Sequence, residues 1–178
     1  MSYEKLAAVT TPGSEQPAKI RYYYETDSIF NKLNLRTHYR AKMVKDGKGE
    51  VQLDDIAISQ DERDMVNEML EQAIYELGTY MFKIAQGVSN SIFFNTTLSD
   101  VLAKESSGFE MIDNAAYNEN LLPVIDKKIE TCLIFYCLRE WYGSVAMPDD
   151  IKSNTFLYKE HLDKLNQLTF QMRKKTMS

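Results

Sequence analysis

One stretch limits what this chain can become: residues 120–146, whose centre reads Cys132-Leu133-Ile134-Phe135-Tyr136-Cys137-Leu138-Arg139-Glu140-Trp141-Tyr142. Leu122, Ile125, Ile129, Cys132, Leu133, Tyr136, Cys137 and Trp141 recur at spacings of three and four, which gathers them on one face of an α-helix. Ile134, Phe135 and Leu138 widen that face until little of the helix is left to meet water. A helix that is apolar on most sides has to be surrounded. The sequence therefore predicts a mainly α protein, a four-helix bundle with this segment as its central member.

The rest of the 178 residues supplies the cover, and one domain of this length can bury a substantial core. Thr26, Asp27 or Ser28 can cap a first helix carrying Ile29, Phe30 and Leu33, with Tyr39 and Met43 further along. Ser59 and Glu62 stand at capping-box spacing and open a second helix. Met65, Val66, Met69, Leu70, Ala73, Ile74, Leu77, Met81 and Ile84 keep helical spacing along it up to Gly87, a length of about 40 Å at ~1.5 Å per residue. Asn118 or Asn120 caps the central helix, and Pro123 falls in its first turn, where a missing amide is harmless. Gly143 weakens its end and Pro148 stops it. Asp149 or Asp150 then opens a last helix, whose Ile151, Thr155, Tyr158, Leu162, Leu165, Thr169 and Met172 form a coiled-coil-like seam.

Two parts do not read as helix. Residues 1–25 form an extended arm ahead of the bundle domain at 26–178: Thr10-Thr11-Pro12-Gly13-Ser14 and Pro17 are turn formers, while Ile20-Arg21-Tyr22-Tyr23-Tyr24 is strand-like. Alternate side chains of a strand face opposite ways, so Tyr22, Tyr23 and Tyr24 must meet two surfaces, the chain's own bundle or a neighbouring subunit. Residues 88–117 form an irregular, β-containing insertion between the second and third helices. Its extended pieces are residues 91–95 and 108–113, and Phe93-Phe94 marks it as a docking segment.

The charges and reactive groups narrow the function. A net charge of −5 argues against a general nucleic-acid binder, which needs a basic surface to displace counterions from phosphate. Residues 1–9 lack the long apolar core of a signal peptide, and no apolar run approaches the ~20 residues of a membrane span. Cys132 and Cys137, five apart on a helix, point in different directions and read as core thiols. His38 and His161 have no second ligand at helical spacing, and neither Glu-x-x-His nor a clustered Cys/His set occurs. The sequence has no Gly-rich phosphate loop and no nucleophile elbow; Asp54-Asp55 reads as a solvated loop ahead of a helix. The expectation is a protein that is not an enzyme and needs no metal or cofactor.

What remains is segregated charge. Residues 32–48 hold six bases, Arg36, Arg40 and Lys42 among them, against Asp46, a net of +5. Residues 54–76 hold eight acids, including Glu68, Glu71 and Glu76, against Arg63, a net of −7. Arg173-Lys174-Lys175 add a basic end. Opposed faces on one small domain suit copies that pack head to tail; three ordinary solvated helix faces are the plain alternative.

Tyr22-Tyr23-Tyr24-Glu25-Thr26-Asp27 leading into the first helix, Leu53-Asp54-Asp55-Ile56-Ala57-Ile58-Ser59 with its capping box, and the apolar helix ending in Trp141-Tyr142 together resemble a family of tailed-phage head-to-tail connector (adaptor) proteins. The likeness is to those in phages of gut Bacteroidales, including the crAss-like group. Where that family continues with an arginine-rich segment, this chain has Gly143-Ser144-Val145-Ala146. The resemblance implies a structural virion protein made in the host cytoplasm and sited at the head-tail interface. It implies a homo-oligomeric ring, dodecameric in the family, contacting the portal protein and tail or further ring proteins. It also implies DNA only as non-specific passage through the channel, and no membrane. The rival expectation is a small cytoplasmic helical regulator that binds one protein partner.

Overall fold

The computed structural model describes residues 2–11, 14–44, 56–85, 90–97, 105–113 and 117–173. Among these the protein is mainly helical, with four α-helices and a small antiparallel sheet. The helices are α1 (Thr26–Met43), α2 (Arg63–Ala85), α3 (Leu122–Ser144) and α4 (Pro148–Arg173). The strands are β1 (Tyr3–Leu6), β2 (Val9–Thr11), β3 (Ser14–Gln16), β4 (Lys19–Glu25), β5 (Ser91–Thr97) and β6 (Glu105–Ile112).

Helix α3 is the centre. It buries Ile125, Ile129, Cys132, Leu133, Ile134, Tyr136, Cys137, Leu138, Trp141 and Tyr142, and α1, α2, α4 and β1 all pack on it. Both cysteines are free thiols, pushed up to about 12 by burial. The segment ahead of α2 is pinned between α1 and α3: the Trp141 indole donates to the Ile56 carbonyl (2.8 Å), Asn34 donates to Ile58 O (2.7 Å), and Ile58 N donates to Thr37 Oγ1 (2.9 Å). Those bonds deliver Ser59 to the start of a 3-10 turn, where it and Glu62 make the expected capping box.

The third and fourth helices meet through a tight turn. Met147 N donates to Tyr142 O (2.9 Å) and Ala146 N to Gly143 O (3.3 Å), the pairing of a Schellman cap, with Ala146 at φ 55° where glycine is usual. Pro148 does more than stop α3: it is the first residue of α4, and Asp149 and Asp150 lie in the first turn instead of capping it. The α4 seam buries Asn154, Tyr158, Leu165, Thr169 and Met172.

The described residues of the 1–25 arm pack on the chain's own domain, one of the two surfaces the sequence left open for its tyrosines. Strands β1 and β4 pair from Tyr3–Tyr22 to Leu6–Lys19, and β2 and β3 continue the same register from Val9–Gln16 to Thr11–Ser14. They form one long hairpin interrupted at Ala7-Ala8 opposite Pro17-Ala18, where Pro17 has no amide to offer the ladder. Strand β4 then pairs with β6, giving the sheet order β1-β4-β6-β5. Period-two alternation turns Ile20, Tyr22 and Tyr24 into the core. On the other face, Arg21 bridges Glu4 (2.6 Å) and Glu110 (2.8 Å), and Lys19 meets Glu110 (3.1 Å). Gly108 has to be glycine: a Cβ there would lie 2.0 Å from the Tyr22 carbonyl oxygen.

The base of the hairpin is fastened to α3 by Asp126. Its carboxylate accepts from Ser2 N (3.0 Å) and from the Tyr24 hydroxyl (3.2 Å). Burial raises this carboxyl above the ordinary aspartate range, against the lowering effect of both hydrogen bonds.

Candidate assembly surfaces

A concavity on the outer wall lies where α2, β5 and α3 meet. It is a cleft of about 390 Å³ lined by Glu71, Gln72, Tyr75, Glu76, Phe94 and Tyr136. Its floor depends on an irregularity in β5. Phe93 pairs with Gly108 and Thr96 with Ser106, so Phe94 and Asn95 together oppose Ser107, and Asn95 takes φ 44°. This is a β-bulge, with the left-handed residue an asparagine, which tolerates that region better than most side chains. Asn95 donates to Glu71 (2.7 Å), its amide N donates to Ser107 Oγ (2.9 Å), and its side-chain oxygen accepts from Thr26 (3.4 Å). The bulge thus turns Phe94 to the cleft and locks β5 to α2. Gly78 allows close approach below it, since a Cβ there would sit 3.2 Å from Ile92.

The cleft is acidic and aromatic. Tyr75 is 60% exposed and Phe94 39%, while Tyr136 lies at the back, donating to Glu76 (3.3 Å), its phenol pushed up to about 12 by burial and the neighbouring Glu76. Arg139 stands over the Tyr136 ring at 4.4 Å. Asp64, Met65, Glu68 and Gln72 extend the outer face of α2, with Asp61 in the 3-10 turn before it. Among the described residues Asp61, Asp64, Glu68, Glu71 and Glu76 form no salt bridge.

Helix α1 carries the opposite character on its outer face. Its inner stripe is Ile29, Phe30, Leu33, Thr37 and Ala41. A second stripe, Leu35, Tyr39 and Met43, recurs every four residues and is 56%, 58% and 73% exposed. Bases flank it: Lys42 lies over the Tyr39 ring (5.8 Å), and Arg36 lies over Phe135 (5.3 Å). No acid occurs between Asp27 and Val44. Lys32 and Arg40 are neutralised within the chain, Lys32 by Glu130 and Arg40 by a two-pronged pair with Asp150 (2.8 and 3.0 Å).

The two faces lie on different flanks of the molecule. Arg36 of α1 packs on Phe135 and Glu76 of α2 bonds Tyr136, and successive residues of a helix point about 100° apart.

Several interface expectations change. Tyr22, Tyr23 and Tyr24 are 0%, 6% and 2% exposed, so they serve the protein's own core and offer no surface, because β4 is an inner strand of the sheet. Tyr39, Met43 and Met65 are exposed instead of joining the core. Arg40 is committed to Asp150, whereas Arg36, Lys42, Glu68 and Glu76 reach the surface; Glu71 lies half-buried at the cleft. Phe93 is half-buried beside Gly108, and Phe94 lines the cleft. Arg173 ends α4, and Lys174, Lys175, Asp54, Asp55 and Gly87 lie outside the described residues. Tyr75, Asn95 and Leu35 were missed. Leu35, Tyr39 and Met43 could have been found from their shared spacing; nothing local marks Asn95 as a bulge.

His161 is not a plain surface histidine. Its ring stacks on Phe135 (5.4 Å, 9°), with Lys128 Nζ 3.0 Å from Nδ1. Burial, then the Lys128 and Lys164 charges, hold it below its ordinary value. Among the described residues no cluster of His, Cys, Asp and Glu is placed to hold a metal ion, and no helix is long and apolar enough to cross a membrane. No known protein family, curated protein or solved structure matches the chain.

Proposed function

We propose that this protein is a structural subunit of a tailed-phage head-to-tail connector. In this reading it is a helical bundle whose copies form a ring between portal and tail, with DNA passing through the channel. The observation that supports it best is the pair of opposed outer faces, basic and apolar on α1, acidic and aromatic on α2, on separate flanks of α3. A subunit that must touch two like neighbours needs two unlike faces. A net charge of −5 suits a ring through which DNA slides without sticking.

The test is to find the chain in purified phage particles by mass spectrometry and to image the head-tail vertex by electron microscopy. The reading expects several copies per particle arranged as a ring against the portal. Absence from particles, together with a one-to-one complex with some cellular protein, would overturn it in favour of a regulator.

A further inference from the structure

We propose that the acidic cleft between α2, β5 and α3 receives the outer stripe of α1 from a second copy of this chain, with Tyr39 and Lys42 entering as a pair. The proposal rests on the connector reading and names the contact that reading leaves open.

Charge selects the occupant. The cleft presents Glu71 and Glu76 beside Tyr75, Phe94 and Tyr136, a combination suited to a cation that also has an aromatic or apolar companion. Lys42 already sits 5.8 Å from the Tyr39 ring centre, so the free subunit carries such a unit preassembled. The cleft, about 390 Å³ and open to solvent, has room for two side chains entering from a neighbouring surface. Leu35 and Met43 then flank the pair, and Met65 continues the apolar contact along α2.

Geometry selects the symmetry. The two faces occupy different flanks of α3, so the contact is heterologous: each subunit uses its stripe on one neighbour and its cleft on the other. Such a contact propagates until it closes. Single exposed charge pairs are worth at most about 1 kcal/mol, so the buried aromatic groups and repetition around a ring supply the affinity while the charges set register.

Two variants test this, each at an exposed position on one face only. Tyr39→Ser removes the aromatic half of the pair from the stripe, keeps Lys42 and leaves the cleft intact; Tyr75→Lys puts a base in the cleft and leaves the stripe intact, and the two altered faces, both basic, do not complement each other. Sedimentation velocity at up to tens of micromolar should show the parent as species larger than a dimer and each variant alone as a monomer. An equimolar mixture of the two variants should give a one-to-one dimer and nothing larger, because only one intact contact can form. Melting temperatures close to the parent's would show that both variants fold. A monomeric parent, variants that assemble like the parent, or a mixture that stays monomeric would each overturn the proposal. These outcomes are separable from the connector reading: a chain found at the virion vertex that fails the mixture test sinks the contact alone, and one that passes it but is absent from particles sinks the connector alone.

Discussion

Leu133 and Leu35 are the same side chain on two helices of one small domain, yet one is 0% exposed and the other 56%. Leu133 sits midway along α3, on which α1, α2, α4 and β1 all pack. Leu35 sits on the second apolar stripe of α1, about 200° round the helix from Leu33. Burying a leucine is worth about 1.5–3 kcal/mol, so Leu133 contributes to folding what Leu35 still has available. In the interior that energy already holds the fold, and on the α1 stripe much of it is not used within the chain.

That contrast is broken most directly at its strong end. Leu133→Ala should lower stability by about 2–5 kcal/mol, the usual range for a leucine cavity in a closed core. A thermal or denaturant melt reads it, and a change under about 1 kcal/mol would mean that α3 is not the centre of the core.

Trp141→Phe comes next. It keeps most of the ring volume but removes the indole donor to the buried Ile56 carbonyl, so about 1–3 kcal/mol should be lost. Because the same bond positions the segment leading to Ser59, amide exchange should quicken at the start of α2 more than in α4.

Ala146→Gly separates backbone cost from packing cost at the end of the same helix. A left-handed alanine costs roughly 1 kcal/mol relative to glycine, and Ala146 is exposed, so the variant should be more stable by about that amount. A loss of stability would show that its methyl group makes a contact the turn needs.

The pH response sharpens the comparison where α3 and α4 meet. His161 is held below its ordinary value chiefly by burial, with Lys128 and Lys164 adding to the shift and Glu160 opposing it. Its neutral form is therefore favoured in the fold. That contribution is fully present above the unfolded value of about 6.5 and is lost as pH falls through it and through the lower folded value. The melting temperature should decline between pH 7 and 5, and His161→Gln should flatten that limb. Glu110 and Glu130, held low by their lysine and arginine partners despite burial, titrate further down, whereas Asp126, raised by burial, acts in the opposite sense, so the difference between the parent and His161→Gln is what reads the histidine.

The smallest stability effect belongs to the other leucine. Leu35→Ser should change folding free energy by no more than about 0.5 kcal/mol, since the side chain is already in water. A larger loss in the isolated monomer would mean that the α1 stripe belongs to the core after all.

Local chemistry in the sequence determined a good deal of this. The spacing of apolar residues across 122–142 is enough to define a helix that must be surrounded near its middle, because from Cys132 to Leu138 apolar and aromatic side chains occupy most of its circumference. The Ser59–Glu62 box and Pro123 mark helix starts, and Pro148 the end of the central helix, by hydrogen-bonding rules that act within four residues. The two extended pieces of the insertion were legible from the same kind of signal, and so was the segregation of charge, which is a matter of counting.

Tertiary structure decided what depends on partners far along the chain. Helix α1 has two apolar stripes, and which one turns inward is set by Ile56, Ile58 and α3, not by anything within α1. The tyrosines at 22–24 read equally well as arm or core until β6 arrives beside β4, more than eighty residues later, and encloses them. The hairpin of residues 3–25 keeps one register across its break at Pro17, but its attachment to α3 needs Asp126. The cleft exists only because a bulge at Asn95 meets Glu71 and Thr26, a contact among three separate elements. Pairings of that kind depend on where the backbone is brought, and short-range spacing has no access to them.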